Sequence, residues 1–188
     1  MARTSSHPDH DPGLPELVTD RLRLREWAPA DLAPMQAMDS HPDVYEHLEG
    51  EPPGPRYAEE QQEWICAPHG PGLGVWSIWS HDADCRFLGL VMLIPLGGEG
   101  PQIELGFRVV RSEWGRGVAQ EAVRAVIAYG FGLGLAKIVA VTDPDNKNSE
   151  RVLDRLGFQR RGWRRAWGWQ NHYFRLTRRA WLHDTSRP

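Results

Sequence analysis

The stretch Ile103–Ala122, IELGFRVVRSEWGRGVAQEA, decides the fold class of this 188-residue chain. Apolar and polar residues alternate through its first half, which predicts a half-buried strand over 103–110. The apolar face holds Ile103, Leu105, Phe107 and Val109, and the opposite face holds Glu104, Gly106 and Arg108. A helical repeat of apolar residues follows and predicts a helix from Val118 to Phe131. A turn containing Gly115 and Gly117 joins the two elements directly.

This glycine turn is a candidate anion site. Glycines allow backbone N–H groups to converge on one point, and the start of a helix adds unpaired donors and the positive end of its dipole. Ala119 is small enough for a ligand to approach closely, and Arg116 adds a positive charge. The alternative is purely structural: two glycines that ease a tight junction between strand and helix.

Two familiar phosphate-binding patterns do not fit the turn. A P-loop requires a Gly-Lys pair, which the chain lacks, and a dinucleotide fingerprint requires a third glycine where Gln120 stands. The pyrophosphate loop of acyl-CoA-dependent acyltransferases, [QR]-x-x-G-x-[GA], is matched by Trp114–Ala119 at every position except the first, which is Trp114.

The order of elements along the chain predicts one α/β domain of the mixed, α+β type. A strand at Leu22–Trp27 is followed by helices from Pro29, over Asp43–Leu48 and over Arg56–Ile65, then by a hairpin of Gly74–Ser80 and Cys85–Pro95. After the helix that begins at Val118 come a strand at Lys137–Thr142, a helix at Ser149–Leu156 closed by Gly157, and strands at Gln159–Trp167 and His172–Thr177. We expect residues 1–15 to be a disordered tail, 16–180 the domain and 181–188 a C-terminal tail.

Composition excludes several protein classes. The formal charge is −3 and 40% of residues are hydrophobic, with no apolar run long enough to span a bilayer and no secretory signal at Met1–His10. The two cysteines, Cys66 and Cys85, make neither a disulfide framework nor a metal-ligand spacing. We therefore expect a cytoplasmic protein that binds no membrane, no nucleic acid and no metal.

Charge is distributed unevenly along the chain. Ionisable residues from Asp31 to Glu63 are almost all acidic, and those from Arg151 to Arg179 are mostly arginine. These stretches are either two solvated faces or an acidic lid for a cationic substrate and a basic rim for an anionic cofactor.

Four segments together carry a family resemblance: Thr19–Arg25, Ile103–Phe107, Trp114–Ala122 and Asp145–Phe158. In content and order they resemble the GCN5-related N-acetyltransferase (GNAT) superfamily, particularly its RimJ/RimL-type branch of ribosomal-protein N-terminal acetyltransferases. The resemblance implies a single-domain fold with a splayed, mixed but mostly antiparallel sheet flanked by helices. It also implies that acetyl-CoA lies between the strands that end near Val110 and Thr142.

The resemblance further implies a set of site residues. Glu104 and Ser149 are the expected catalytic residues. The expected cofactor-binding residues are Phe107, Arg108, Val109, Trp114, Gly115, Arg116, Gly117, Val118, Ala119, Asn146 and Ser149. Among these, the backbone of Phe107 to Val109 would bond the pantetheine arm and the N–H groups of Gly115 through Ala119 would hold the pyrophosphate.

The chemistry of amine acetylation can be compared with these residues. An amine attacks a thioester only when neutral, so a group must accept its proton. Glu104 is the candidate base, but a carboxyl pKa of about 4.3 is too low unless burial raises it or a water intervenes. The alternative role for Glu104 is structural, as a partner for Arg108 or in a buried salt bridge. Many members of the family place a Tyr four residues before the Gly-Phe pair, where this chain has Leu153, so Ser149 is the expected donor to the leaving sulfur. The alternative role for Ser149 is helix capping.

The resemblance predicts an acetyl-CoA-dependent N-acetyltransferase. The acceptor would be a primary amine, either a peptide or protein N-terminus or a small molecule, which attacks directly in a ternary complex. A non-catalytic acyl-CoA-binding module is the alternative. We expect the acceptor between the early helices, the Gly97–Gly100 loop and the terminal strands, and Trp167 and Trp169 would serve equally in a homodimer contact.

Overall fold

The computed structural model describes residues 13–48 and 52–185. The described strands are β1 (Leu17–Val18), β2 (Leu22–Glu26), β3 (Gly74–Ser80), β4 (Phe87–Pro95), β5 (Ile103–Val109), β6 (Lys137–Thr142), β7 (Gln159–Ala166) and β8 (Trp169–Thr177). The described α-helices are α1 (Leu32–Asp39), α2 (Pro42–Tyr45), α3 (Tyr57–Ile65), α4 (Val118–Gly132), α5 (Lys147–Arg155) and α6 (Arg178–Thr185). Short 3-10 turns occupy Pro29–Asp31, Leu96–Gly98 and Arg111–Glu113.

The strands form one sheet in the order β1-β2-β3-β4-β5-β6-β8-β7. The pair β5–β6 is parallel, and each of the other neighbouring pairs is antiparallel. The register between β4 and β5 runs from Gly89↔Val109 to Pro95↔Ile103, whereas within the described chain β5 and β6 meet at Glu104↔Val139 alone. The sheet therefore opens where β5 and β6 continue toward their carboxyl ends, as the resemblance predicted.

Helix α4 closes one face of the sheet because its apolar residues recur at helical spacing. Val118, Ala122, Val126 and Ile127 are buried in the main core against strands β2 to β6 and helix α5. Helices α1 to α3 pack a second cluster against β3 and β4, with Met35 at its centre. The mixed α/β architecture with helices flanking an open sheet is thus confirmed.

Both ends of the domain differ from the sequence-based boundaries. Residues 1–12 of the predicted N-terminal tail lie outside the described residues, but Leu14 packs against the core and Pro15 accepts a hydrogen bond from the Trp76 indole. At the other end, 181 is not the start of a tail, because helix α6 continues to Thr185 and Trp181 is 7% exposed. Residues 186–188 lie outside the described chain.

In the described part of the chain, every helix is too short or too polar to cross a membrane.

Candidate active site

The open edge of β5 presents backbone groups that β6 does not cover. Val110 donates its N–H to Leu88 on β4 over 2.9 Å. Because successive residues of a strand direct their backbone groups to opposite edges, those of Phe107 and Val109 are turned away from β4. The Phe107 groups and the Val109 N–H face the opening, where a ligand can bond to them in the manner of an added strand, whereas the Val109 carbonyl already accepts a hydrogen bond from Trp114.

The glycine turn lies between the carboxyl end of β5 and the start of α4. Gly115 and Gly117 have φ of 77° and 81°, a left-handed conformation that other residues rarely adopt. Helix α4 begins without a side-chain cap, and within the described residues no acceptor bonds the N–H groups of Val118 and Ala119. These donors and the positive end of the α4 dipole would favour an anion beside the opening.

The turn is held in place by Glu121 on α4. Its carboxylate accepts hydrogen bonds from the Thr19 hydroxyl at 2.6 Å and from Arg21 Nε at 2.7 Å. Arg21 also donates to the Arg116 carbonyl at 3.1 Å. Partial burial of Glu121 would raise its pKa, but the bonds from Thr19 and Arg21 outweigh burial and lower it. The Thr19–Arg25 segment therefore fixes the loop rather than contacting the opening.

Trp114 has a local explanation where it departs from the acyltransferase pattern. Its indole N–H donates to the Val109 carbonyl at 2.8 Å, and the Arg111 guanidinium lies 4.9 Å from its ring centroid. The Arg111 side chain also pairs with Asp43 on α2. Trp114 therefore joins the end of β5 to the glycine turn.

Glu104 lies where β5 and β6 part, and it is 2% exposed. Its Oε2 accepts a hydrogen bond from the Trp167 indole N–H at 2.9 Å and from the Gly97 N–H at 3.5 Å. Burial raises the pKa of Glu104 from 4.5 to about 7, against the opposing effect of those two donors. A carboxyl of this pKa is matched to proton transfer near neutral pH.

Arg108 is not the partner of Glu104. Its guanidinium lies 3.2 Å from Asp39 on α1 and 3.2 Å from Gln61 on α3. The ion pair considered for Glu104 is therefore excluded, and the Arg108 side chain is directed to the helices. Its expected contact with the cofactor stays a prediction.

Ser149 and Asn146 occupy the start of α5, beyond the carboxyl end of β6. The Asn146 side-chain carbonyl accepts the Ser149 N–H at 3.0 Å, so Asn146 is the helix cap and the Ser149 hydroxyl is not. Within the described chain that hydroxyl makes no hydrogen bond. The next residue, Glu150, bonds the His172 imidazole of β8, which anchors this turn to the sheet.

The acidic stretch is partly neutralised by arginines. Asp31 pairs with Arg25, Asp39 with Arg108 and Asp43 with Arg111. Glu59 and Glu60 lie 3.9 and 3.8 Å from Arg56, and Glu46 lies 3.4 Å from His47. Glu49 and Glu51 lie outside the described residues. The acidic character of this face is therefore weaker than the sequence indicated.

The contact of Trp167 with Glu104 was not predicted from the sequence. Trp167 also meets Trp64 of α3 edge to face, with ring centroids 6.0 Å apart. Two turns thus contact Glu104, the turn at Gly97 and the turn between β7 and β8, and α3 contacts the second of them through Trp64. The sequence pointed to these regions through the Gly97–Gly100 loop and the abundance of tryptophan, but not to this pairing.

Across residues 13–48 and 52–185, His, Cys, Asp and Glu side chains form no cluster of three that would hold a metal ion.

Comparisons with known proteins match most of the length of this chain. A family model described as "Acetyltransferase (GNAT) domain" matches residues 21–159. Two curated relatives come from Bacillus subtilis. YkkB is 34% identical, and the match covers 76% of this chain and 84% of YkkB. The N-acetyltransferase YoaA is 32% identical, and the match covers 84% of this chain and 90% of YoaA. Among solved structures, an acetyltransferase from Agrobacterium tumefaciens superposes with a TM-score of 0.76 at 24% identity, covering 92% of this chain and all of that one.

Proposed function

This chain belongs to the GNAT acetyltransferase family and is an N-acetyltransferase, and on that premise we propose that it transfers an acetyl group from acetyl-CoA to a primary amine by direct attack. Glu104 accepts the proton of the attacking amine. The observation that carries this role is a carboxyl buried at the parting of β5 and β6, with its pKa raised to about 7 by burial. A Glu in water would be too weak a base for this step.

Three groups around the opening have separate roles in the reaction. Glu104 takes a proton from the amine as nitrogen bonds to the acetyl carbonyl, and the N–H of Val109 stabilises the charge that develops on the carbonyl oxygen. The carbon–sulfur bond then breaks, and the Ser149 hydroxyl donates a hydrogen bond to the departing thiolate. Leu153, at the position of the usual Tyr, is buried in the core and has no proton to donate.

The acetyl-CoA site would extend from Glu104 along the open edge of β5 to the glycine turn. The backbone of Phe107 bonds the pantetheine arm, because the Val109 carbonyl accepts from Trp114 and its N–H is assigned to the acetyl oxygen. The N–H groups of Gly115, Gly117, Val118 and Ala119 bind the pyrophosphate, and Arg116, whose own N–H bonds the Glu113 carbonyl, adds the charge of its side chain. Asn146 contacts the arm through its amide N–H₂, since its carbonyl oxygen caps α5. Exposed donors in the glycine turn support this assignment.

The acceptor would approach Glu104 between Trp64, Trp167 and the turn at Gly97. Aromatic faces attract a cationic amine before it loses its proton, and the acidic side chains of α3 add to that attraction. We propose a peptide or protein N-terminus or a small-molecule amine as the acceptor. The Thr19–Arg25 segment favours the RimJ/RimL-type branch.

Ligand binding and turnover test the proposal separately. Thermal unfolding with acetyl-CoA beside ATP and NAD should show a shift with acetyl-CoA alone, corresponding to about 2.7 kcal/mol at 100 times the dissociation constant. Thiol release should then be measured with a panel of amines and short peptides. Glu104→Gln should lower kcat by about 100-fold or more while retaining the acetyl-CoA shift.

Ser149→Ala is the companion variant. It should lower kcat less than Glu104→Gln because a hydrogen bond, rather than the proton acceptor, is removed. No acetyl-CoA shift in the wild-type chain would overturn the cofactor assignment. A shift with full activity in Glu104→Gln would overturn the assignment of the base.

We further propose that the protein acts in the cytoplasm and forms a homodimer. Trp169, which is 59% exposed beside the Trp167 turn, is the candidate contact. Sedimentation of the wild type and Trp169→Ala tests this: the variant should be monomeric if Trp169 lies in the interface.

A further inference from the structure

We propose that Trp167 is a positioning residue for Glu104: its indole N–H fixes the Oε2 atom and favours the ionised form of the carboxyl. This inference rests on the proposed role of Glu104 as the base. The atoms concerned, Trp167 Nε1 and Glu104 Oε2, lie 2.9 Å apart. An indole N–H can only donate, and a hydrogen bond to a charged acceptor is stronger than one to a neutral group.

The backbone around Trp167 is shaped to deliver this contact. Trp167 and Gly168 form the two-residue loop of the β7–β8 hairpin, since Ala166 pairs with Trp169 across it. Both loop residues have positive φ, 55° at Trp167 and 81° at Gly168. Such loops favour Asn, Asp or Gly at the first position, and a bulky side chain there is uncommon. A tryptophan in this place indicates a requirement for its side chain rather than for the turn.

Trp64 supports the indole from the opposite side. The two rings meet edge to face at 78°, and the His69 ring lies 6.1 Å beyond Trp64. Trp167 is therefore held between the hairpin that carries it and helix α3. A side chain restrained from both sides can keep a single hydrogen bond aligned.

The remaining surroundings of Glu104 supply little that could replace this donor. The nearest cluster is apolar and contains Leu96, Val139, Ala166, Val141, Trp167 and Tyr173. The ionisable groups on the surrounding elements are Glu99 after the Gly97 turn, Arg108 on β5, Lys137 on β6, Arg160, Arg161, Arg164 and Arg165 on β7, His172, Tyr173 and Arg175 on β8, Glu59, Glu60 and Glu63 on α3, and His69 behind Trp64. In the described chain none of them forms a hydrogen bond or ion pair with Glu104, and the Tyr173 hydroxyl accepts from Gln102 instead. The Gly97 N–H, at 3.5 Å, is the other donor to the carboxylate.

Trp167→Phe tests the proposal while preserving its structural setting. Phenylalanine retains an aromatic ring, a Cβ and the same positive φ, but lacks the N–H. The titration midpoint of Glu104 should rise by about one pH unit, because a lost hydrogen bond to a charged group is worth roughly that shift. The midpoint is read from the side-chain carboxyl ¹³C resonance, assigned with Glu104→Gln, in the protein without substrate. The acid limb of kcat/KM should move in the same direction.

Trp163→Phe is the matched control, since it changes the same residue type four positions away at a site that is 54% exposed. It should leave the Glu104 midpoint unchanged. An unchanged midpoint in Trp167→Phe, with activity lowered equally at every pH, would show that Trp167 only packs in the site and would overturn the inference. A shifted carboxyl midpoint supports it. The pH profile of kcat/KM in the wild type should change slope at the Glu104 midpoint. If it does not, the proposal that Glu104 is the base is wrong, whereas the inference about the Trp167 contact is judged by the carboxyl midpoint alone.

Discussion

The Glu104 carboxyl makes the folded chain less stable at the pH where it can act as a base. Its pKa is about 7 when folded and 4.5 in its ordinary state, so between these values the folded chain holds a proton that the unfolded chain has released. The stability associated with the neutral form is fully present below pH 4.5 and is lost as pH rises through about 7.

Replacing Glu104 by Gln should therefore remove this loss of stability at the higher pH. The difference in the free energy of unfolding, Glu104→Gln minus wild type, should be about 3 kcal/mol larger at about pH 8 than at about pH 4. Urea unfolding at both pH values measures the difference. Equal pH dependence in the two proteins would contradict the elevated pKa.

Glu121 should behave in the opposite sense. Its bonds from Thr19 and Arg21 lower its pKa despite partial burial. Its contribution to stability is present above pH 4.5 and is lost as pH falls through the lowered folded value. Glu121→Gln should thus lose stability near neutral pH and approach the wild type in acid, which the same urea series measures.

The family resemblance pointed to Glu104, and strand alternation placed it opposite the apolar stripe of β5. It could not find Trp167, which is 63 positions away and is aimed by a hairpin with positive φ. Neither alternation nor propensity predicts such a turn at a tryptophan. The capping role of Asn146 was also open, because Asn146, Asn148 and Ser149 are all good caps and only the fold selects among them.

At the scale of elements, the glycine turn and helix α4 were predicted closely because local chemistry determines both. Gly117→Glu tests the anion site at this turn. A Cβ at Gly117 would meet only Arg21 Nη2, 3.4 Å away, so the substitution is strained by its φ of 81° rather than by crowding. We expect acetyl-CoA affinity to fall by more than about tenfold through repulsion of the phosphates.

Gly117→Gln is the matched control for that variant. It has the same size and the same backbone strain, about 1–2 kcal/mol, but no charge. Titration calorimetry with acetyl-CoA should rank the wild type first, Gly117→Gln second and Gly117→Glu last. Equal affinities for Gln and Glu would show that the turn does not bind an anion.

The short helices were harder to predict than α4. Helix α2 extends over Pro42–Tyr45 rather than Asp43–Leu48, and α6 was partly assigned to a tail. Both carry too few apolar residues for a repeat to be recognised. Their positions depend on tertiary contacts, such as Arg111 with Asp43 for α2 and Phe131 with Trp181 for α6.

At the scale of the whole molecule, the opening of the sheet is what unites the site. Strand β5 carries Glu104 and leads into the glycine turn, and β6 leads to Asn146 and Ser149. Because the two strands are parallel and paired only at Glu104↔Val139 in the described chain, the glycine turn and the Asn146–Ser149 turn both follow carboxyl ends at the same end of the sheet, and Glu104 marks where the strands part. The sequence predicted this through family resemblance, since the pairing of two strands 28 or more residues apart has no local signal.

Helix α6 closes the core at the end of the sheet away from this opening. Trp181 is 7% exposed, its ring centroid lies 6.2 Å from that of Phe131, and Arg124 of α4 lies over its ring at 5.4 Å. Trp181→Ala should therefore reduce the free energy of unfolding by about 3–5 kcal/mol. Trp163→Ala, the same change at a site 54% exposed, should cost much less. Because α6 packs on α4 and not on the glycine turn, Trp181→Ala should retain acetyl-CoA affinity at temperatures where it remains folded. Urea unfolding measures the stability of both variants, and calorimetry measures their affinity for acetyl-CoA. A small loss of stability in Trp181→Ala would mean that α6 is dispensable to the core.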